Sequence, residues 1–271
     1  MMVEHALYRL WRSEMPLLVN VPHAGTVVPD VIAERLTPAA QALPDTDWFV
    51  DRLYDFVPDL GATLMTATHS RYVIDLNRSA DGRALYAGAS NTELCPTTTF
   101  GEAPIYRAGM EPSPAEIAAR VREYWLPYHD ALRGEIARIR SRHGFCVLLD
   151  GHSIVGALPR FFSGRLPDLN LGTADGSSAA PDCEVCAWEV LRTAEGFSAV
   201  RNGRFKGGYI TRGHGDPSRQ VHALQLEMAQ SSYLDDEAAP VWNPARAARL
   251  IEVLQRLAAA LLAWRPARLN Y

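Results

Sequence analysis

The sequence has few cysteines, no long apolar run and no large excess of charge of either sign. Four cysteines in 271 residues do not form a disulfide framework, and no stretch approaches the roughly 18 apolar residues of a membrane span. A net charge of −4 provides no broad basic field for nucleic acid or anionic lipid. The first fifteen residues lack the apolar segment of a signal peptide. We therefore expect a cytoplasmic protein without nucleic-acid or membrane partners; the oligomeric state is not indicated.

Two of the cysteines, Cys183 and Cys186, form a CxxC pair. Such a pair can be redox-active or can bind a metal. It lacks the second CxxC or the paired histidines that a structural zinc site needs. We interpret both cysteines as small residues on a helix.

The apolar residues favour an α/β fold with a mixed, mainly parallel sheet flanked by helices on both faces, because short apolar runs alternate with helical patterns. The predicted strands cover residues 17–21, 62–68, 72–74, 145–149, 169–173, 197–200 and 221–228. The predicted helices cover 29–36, 44–56, 114–143 with a kink or break at Pro127, 182–195 and 244–264. Without an internal repeat or a linker, one domain over 1–271 is expected. The long irregular segment 79–112 is a candidate lid.

Several polar residues follow predicted strands or begin helices. Ligands of open α/β sheets bind outside the carboxyl ends of the strands, so these side chains are expected to share one site. Two of them, His23 and His152, each follow a buried apolar run and stand next to a small residue. A single histidine in such a place is more often structural, but two in the same context favour a functional role. The full set is His23, Asp47, Asn77, Arg78, His152, Arg212 and Glu227.

Two imidazoles and one carboxylate form a ligand set for a catalytic zinc that leaves a position for water. Cobalt, manganese and iron are alternatives. The carboxylate is Asp47 or one of its acidic neighbours, Asp45 and Asp51. Glu227 is isolated in an otherwise apolar strand, where burial raises the pKa of a carboxylate. We predict that Glu227 takes the proton from water and passes it to the leaving nitrogen.

Arginines indicate the kind of substrate. The planar guanidinium of arginine matches a carboxylate, and Arg78 and Arg212 both lie in predicted site segments. Together they suggest a small anionic substrate with two carboxylates. Arg212 and Tyr209 belong to the glycine-rich segment 207–212, which we interpret as a ligand-binding loop.

Five short motifs, in this order, resemble the N-formylglutamate amidohydrolase family. The resemblance covers nearly the whole chain, and the combination is specific. The motifs are Val21-Pro22-His23-Ala24-Gly25, Asp45-Thr46-Asp47-Trp48 with Val50-Asp51-Arg52-Leu53-Tyr54, Asp75-Leu76-Asn77-Arg78, Asp150-Gly151-His152-Ser153 and Gly207-Gly208-Tyr209-Ile210-Thr211-Arg212.

The resemblance implies a fold similar to that of zinc carboxypeptidases and aspartoacylases. Those relatives have a His-x-x-Glu pair, then Asn-Arg, a distant histidine and a catalytic glutamate. In this chain Thr26 stands where the glutamate of the pair is expected, so the resemblance implies that Asp47 replaces it as the ligand beside His23 and His152. Gly213 and His214 follow Arg212, where related deformylases have a histidine and a tyrosine.

The activity that the resemblance implies is hydrolysis of N-formyl-L-glutamate to glutamate and formate, dependent on one zinc ion. Glu227 would be the catalytic residue, and Asn77, Arg78, Tyr209 and Arg212 would bind the substrate. One alternative is a sister deacylase that acts on another N-acyl amino acid, such as an N-acyl-aspartate or N-succinyl-glutamate. The other is a non-catalytic amino-acid-binding protein, which would contain no metal.

Overall fold

The computed structural model describes residues 1–83 and 92–266. Its strands are β1 Met2–His5, β2 Tyr8–Trp11, β3 Leu17–Val21, β4 Thr63–Ala67, β5 Cys146–Ile154, β6 Leu169–Gly172, β7 Ala199–Arg201, β8 Val221–Ala229, β9 Leu234–Asp236 and β10 Val241–Trp242. Its helices are α1 Asp30–Ala33, α2 Pro38–Gln41, α3 Val50–Leu53, α4 Pro114–Arg120, α5 Leu126–His143, α6 Pro181–Arg192, α7 Tyr209–His214 and α8 Pro244–Ala263.

The main sheet has eight strands in the order β1-β2-β4-β3-β5-β8-β6-β7. The four central strands, β4, β3, β5 and β8, run parallel to one another. Antiparallel pairing adds β2 beside β4 and β6 beside β8. The predicted mixed α/β class is therefore confirmed. The N-terminal hairpin of β1 and β2 was not predicted, because its short strands show no apolar run.

Helices cover both faces of this sheet because successive side chains of a strand point in opposite directions. On β5, Val147 and Leu149 pack into the core formed with α3, α6 and α8. Cys146 and Leu148 point to the opposite face and pack against α5. Both faces of the central strands are thus buried.

On the α5 face, the central strands change from apolar to polar side chains toward their carboxyl ends. Asn20 of β3 pairs in register with Asp150 of β5, and Asp150 pairs with Gln225 of β8. Two residues farther along, His152 of β5 pairs with Glu227 of β8. Parallel pairing and period-two alternation therefore place these residues side by side on one face of the sheet.

The prediction of a strand over 72–74 is wrong, because this segment forms a turn. Its apolar side chains are buried all the same. Arg120 of α4 donates through Nη1 to the carbonyls of Tyr72 and Val73, at 3.3 and 2.9 Å. An arginine therefore satisfies carbonyls that a strand would pair with a neighbour.

Other elements differ from the prediction in length. β5 continues past 149 to Ile154, because β8 pairs with it along its whole length, so His152 lies inside a strand. The helix predicted over 44–56 is reduced to α3. The long helix 114–143 is divided by a π-helical turn, Val121–Trp125, directly before the turn that contains Pro127. In the described part of the chain no helix is long and apolar enough to cross a membrane.

The segment predicted as a lid, 79–112, is only partly described, since residues 84–91 lie outside the described ranges. Residues 92–112 form turns and isolated bridges, such as Thr98 with Pro104 and Leu36 with Tyr106. A lid motion of this segment stays a prediction.

Candidate active site

Three predicted ligands meet at the carboxyl ends of the central strands. His23 follows β3, Asp47 precedes α3 and His152 lies in β5; all three are buried. One ligand atom from each lies within 4.8 Å of the other two. Asp47 Oδ2 is 3.1 Å from His152 Nδ1 and 3.7 Å from His23 Nδ1. The three groups thus surround a single point.

The far nitrogen of each imidazole lies beside a second carboxylate. His23 Nε2 is 2.9 Å from Asp75 Oδ1, and His152 Nε2 is 2.9 Å from Asp150 Oδ2. Asn20 Nδ2 donates to Asp150 Oδ1 at 2.7 Å, which holds that carboxylate in turn. Carboxylates placed in this way fix the orientation of ligand imidazoles in metal sites. Here they leave Nδ1 of both rings directed at Asp47.

The carboxylate of Asp47 fits a metal ligand. Asp47 Oδ2 accepts from the backbone N–H of Ser153 at 3.1 Å, whereas the buried Oδ1 has no hydrogen-bond partner. A buried carboxylate oxygen without a partner is costly unless it is paired or coordinates a cation. Two imidazole nitrogens and one carboxylate match the donors of a catalytic zinc site.

The two neighbouring acids have other surroundings. The carboxylate of Asp45 accepts from the N–H of Phe100 at 2.9 Å and from the hydroxyl of Tyr72 at 2.8 Å. These bonds hold the segment around Phe100. Asp51 lies on α3 and is not one of the three residues that meet. Of the three candidates, Asp47 alone shares a point with both histidines.

Arg71 was not singled out in the sequence, yet its side chain is buried between the carboxylates of the site. It donates to His23 Nδ1. Its Nη1 and Nη2 lie 3.8 Å from Asp47 Oδ1 and 3.6 Å from Asp75 Oδ2. The signal that could have revealed it is a charged residue directly before the apolar residues 72–74.

Charges in this cluster depend strongly on one another. Burial alone would raise the pKa of Asp47, but hydrogen bonds with His152 and His23 lower it overall. Burial likewise opposes the protonated form of His152, and the negative charge of Asp150 overcomes this and raises the pKa of His152 well above its usual value. The site therefore favours negative charge on Asp47 and positive charge beside it.

Glu227 lies next to this cluster in β8 and lines the same cavity. Burial raises the pKa of Glu227 to about 8, and the charge of His152 only partly opposes that effect. Gln225, two residues earlier on the same face, donates to Glu227 Oε2 at 3.2 Å. Gln225 was not predicted, and its period-two spacing from Glu227 is the sequence signal that could have revealed this contact.

We expect this raised pKa to appear in the stability of the metal-free protein. Between about pH 4.5 and 8 the folded protein keeps a proton on Glu227 that the unfolded chain has released, so the free energy of unfolding falls as pH rises through that window. Glu227→Gln has no carboxyl group at this position, so this fall in the free energy of unfolding disappears. The variant should gain about 3 to 4 kcal/mol relative to wild type between pH 5 and pH 8. Urea unfolding at both pH values measures the gain, and a difference independent of pH would contradict the assignment.

Asn77 is held at the edge of the cavity by the segment predicted as a ligand-binding loop. The N–H of Ile210 donates to Asn77 Oδ1 at 2.8 Å, and the N–H of Tyr209 donates to the carbonyl of Asn77 at 3.2 Å. A Cβ atom at Gly208 would lie 2.2 Å from Asn77 Nδ2. Only glycine allows this close approach without displacing Asn77.

The four predicted substrate-binding residues do not all face the cavity. Asn77 and Arg78 line it, and Arg78 is held by bonds to the carbonyl and hydroxyl of Thr92 at 3.2 and 2.8 Å. Arg212 is exposed on α7 and donates to the carbonyl of Gly207, while the ring of Tyr209 packs beside Trp125. The side chains of Arg212 and Tyr209 are not among the cavity walls.

The space within this cavity, including its open mouth, is about 580 Å³. The cluster of His23, Asp47 and His152 lines part of it. Phe100, Phe161, Arg204 and Phe205 line other parts and were not predicted. They come from three irregular segments, where hydrophobic periodicity gives no signal.

Comparison with known proteins identifies the family of the chain. A family model described as N-formylglutamate amidohydrolase matches residues 15–234. N-formylglutamate deformylases of Pseudomonas putida and Pseudomonas aeruginosa are each 45% identical over 253 residues, covering 93% of this chain and 94% and 95% of their own. The crystal structure of an N-formylglutamate amidohydrolase from Ralstonia eutropha matches with a TM-score of 0.80 at 25% identity, covering 95% of this chain and 96% of that one. The resemblance inferred from the motifs is confirmed, and the chain belongs to the N-formylglutamate amidohydrolase family.

Proposed function

We propose that the protein hydrolyses the formyl amide of N-formyl-L-glutamate and releases L-glutamate and formate. One observation carries this proposal: two imidazoles and a carboxylate meet beside a buried glutamate in one cavity. The relatives support the choice of substrate, because the two Pseudomonas proteins that match almost the whole chain are N-formylglutamate deformylases.

In this proposal His23, Asp47 and His152 hold one divalent ion. Zinc suits two nitrogens and one oxygen best, with cobalt, manganese and iron as the alternatives. When bound, such an ion polarises the amide carbonyl and acidifies water. A nitrogen lone pair serves one cation at a time, so His23 Nδ1 must release Arg71 before it can serve as a ligand.

Glu227 accepts the proton of the attacking water and delivers it to the leaving nitrogen. Burial gives this carboxylate a pKa near working pH, and Gln225 orients it. Arg71, released from His23, lies close enough to the cavity to stabilise the negative charge that develops on the formyl oxygen.

Asn77 and Arg78 bind a carboxylate of the substrate from the cavity wall. The prediction that Arg212 and Tyr209 also bind substrate stays a prediction. From their positions, we propose that this segment contributes through its backbone N–H groups, which hold Asn77. The partner is thus a small anionic N-acyl amino acid.

Formate release by purified, zinc-loaded protein tests the proposal. We expect kcat/KM for N-formyl-L-glutamate to exceed that for N-formyl-L-aspartate, N-acetyl-L-glutamate and N-succinyl-L-glutamate by about tenfold or more. A larger value for one of the other compounds would indicate a sister deacylase. Protein that contains stoichiometric metal but releases nothing from any of them would contradict hydrolysis altogether.

A further inference from the structure

The loop between β7 and α7 brings Arg204 into the cavity. Arg204 Nε donates to the carbonyl of Phe161 at 2.6 Å. The guanidinium carbon lies 5.6 Å from the ring centres of both Phe161 and Phe205. The carbonyl and the two rings thus hold a half-buried guanidinium at the wall of the cavity.

This loop is held at both of its ends. At its start, the N–H of Asn202 donates to the carbonyl of Leu171 in β6 at 2.7 Å. At its end, the N–H of Gly208 donates to Gln225 Oε1 at 2.7 Å. Arg204 is therefore presented by a loop tied to the same strand that carries Glu227.

The cationic groups of the cavity differ in their surroundings. Arg71 lies beside the carboxylates of Asp47 and Asp75, next to the three residues that meet, where the proposed function assigns it to the formyl oxygen. Arg78 and Arg204 line the same cavity from separate segments. Two oriented guanidinium groups in one small cavity match a substrate with two carboxylates.

We propose that Arg204 binds the side-chain carboxylate of the substrate and thereby determines the preference for an acidic N-acyl amino acid. This assignment rests on the proposed function. It differs from the prediction for Arg212, which lies on α7 outside the cavity walls.

The test compares N-formyl-L-glutamate with N-formyl-L-glutamine, which has the same shape without the charge. Arg204→Met keeps an apolar side chain against the two rings but removes the guanidinium. The ratio of the two kcat/KM values should fall about 10–100-fold, the loss expected for a hydrogen bond between charged groups. Arg204→Lys should recover part of the ratio, because it restores the charge without the planar fork.

Arg160→Met is the matched control. Arg160 also lies over the ring of Phe161, at 5.3 Å, and donates to the carbonyl of Thr99 at 2.6 Å, but it does not line the cavity. In Arg160→Met, the ratio of kcat/KM for N-formyl-L-glutamate to kcat/KM for N-formyl-L-glutamine should stay within about threefold of wild type. An Arg204→Met ratio equally close to that of wild type would overturn the assignment, as would an equal fall in both methionine variants.

A binding experiment separates failure of this assignment from failure of the proposed function. If wild-type protein releases no formate, the reaction is refuted, and protection against thermal unfolding still tests Arg204. Glutarate should raise the Tm of wild type more than glutaramate does, and Arg204→Met should abolish the difference. If glutarate still raises the Tm of Arg204→Met more than glutaramate does, by as much as in wild type, the role of Arg204 is overturned.

Discussion

Replacing Glu227 by glutamine should lower kcat about 10³-fold, the contribution typical of a positioned acid–base group. Glutamine has the same shape and can still contact Gln225, but it cannot accept a proton from water. Glu227 pairs with His152 across the sheet and is not one of the three residues that meet as ligands. The variant should therefore retain its metal and bind substrate with a KM near that of wild type.

Glu135→Gln is the control for this substitution. Glu135 is buried to a similar degree, but it lies on α5 outside the cavity and contacts Arg12 and Arg138 at 2.6 and 2.8 Å. Losing its charge should reduce stability and leave kcat within about twofold of wild type. A Glu227→Gln enzyme with kcat within tenfold of wild type would show that another group moves the proton.

Removing Asp47 should remove the metal and, with it, the activity. Loss of a group that merely orients a ligand costs about 10–100-fold in metal affinity, so loss of a ligand in Asp47→Ala should cost more than about 100-fold. Metal content after dialysis and recovery of activity on adding zinc measure the effect. Treating wild type with a chelator should reproduce it, and zinc should reverse that treatment.

Asp45→Asn is the control within the same motif. The carboxylate of Asp45 holds Phe100 and Tyr72 and does not belong to the three residues that meet. The variant should keep its metal, although the segment around Phe100 loses a charged acceptor. Stoichiometric metal in Asp47→Ala together with loss of metal in Asp45→Asn would reverse the assignment of the ligand.

The histidines and the glutamate were predictable because the local pattern places them. His152 and Glu227 lie inside β5 and β8, where the period of two directs their side chains, and His23 stands two residues after β3. Family resemblance favoured Asp47 over Asp45 and Asp51, and the pattern of the sequence did not. Which of the three acids is the ligand depends on the side chain that the turn before α3 directs toward the strands. Tertiary packing determines that direction.

The arginines show why the rest of the site was not predictable. Arg204 and Arg212 lie eight residues apart, and of the two only Arg212 was predicted to bind substrate. The short helix α7 turns Arg212 outward, while the carbonyl of Phe161, distant in sequence, fixes Arg204 in the cavity. Arg120 similarly donates to the carbonyls of Tyr72 and Val73, which the predicted strand would have paired with a neighbouring strand. Contacts between distant segments leave no periodic trace in the sequence.

His152 and Glu227, which belong to the reacting centre, are paired on adjacent strands. The residues proposed to select the substrate lie outside these strands. Adjacent strands lie about 4.8 Å apart whatever the connecting loops do. The backbone ladder therefore sets the spacing between these two side chains. Phe100, Phe161 and Arg204 come from irregular segments that can be lengthened or exchanged without disturbing that ladder. Laboratory evolution toward other acyl amino acids should accordingly accumulate changes in those segments and leave β5 and β8 intact.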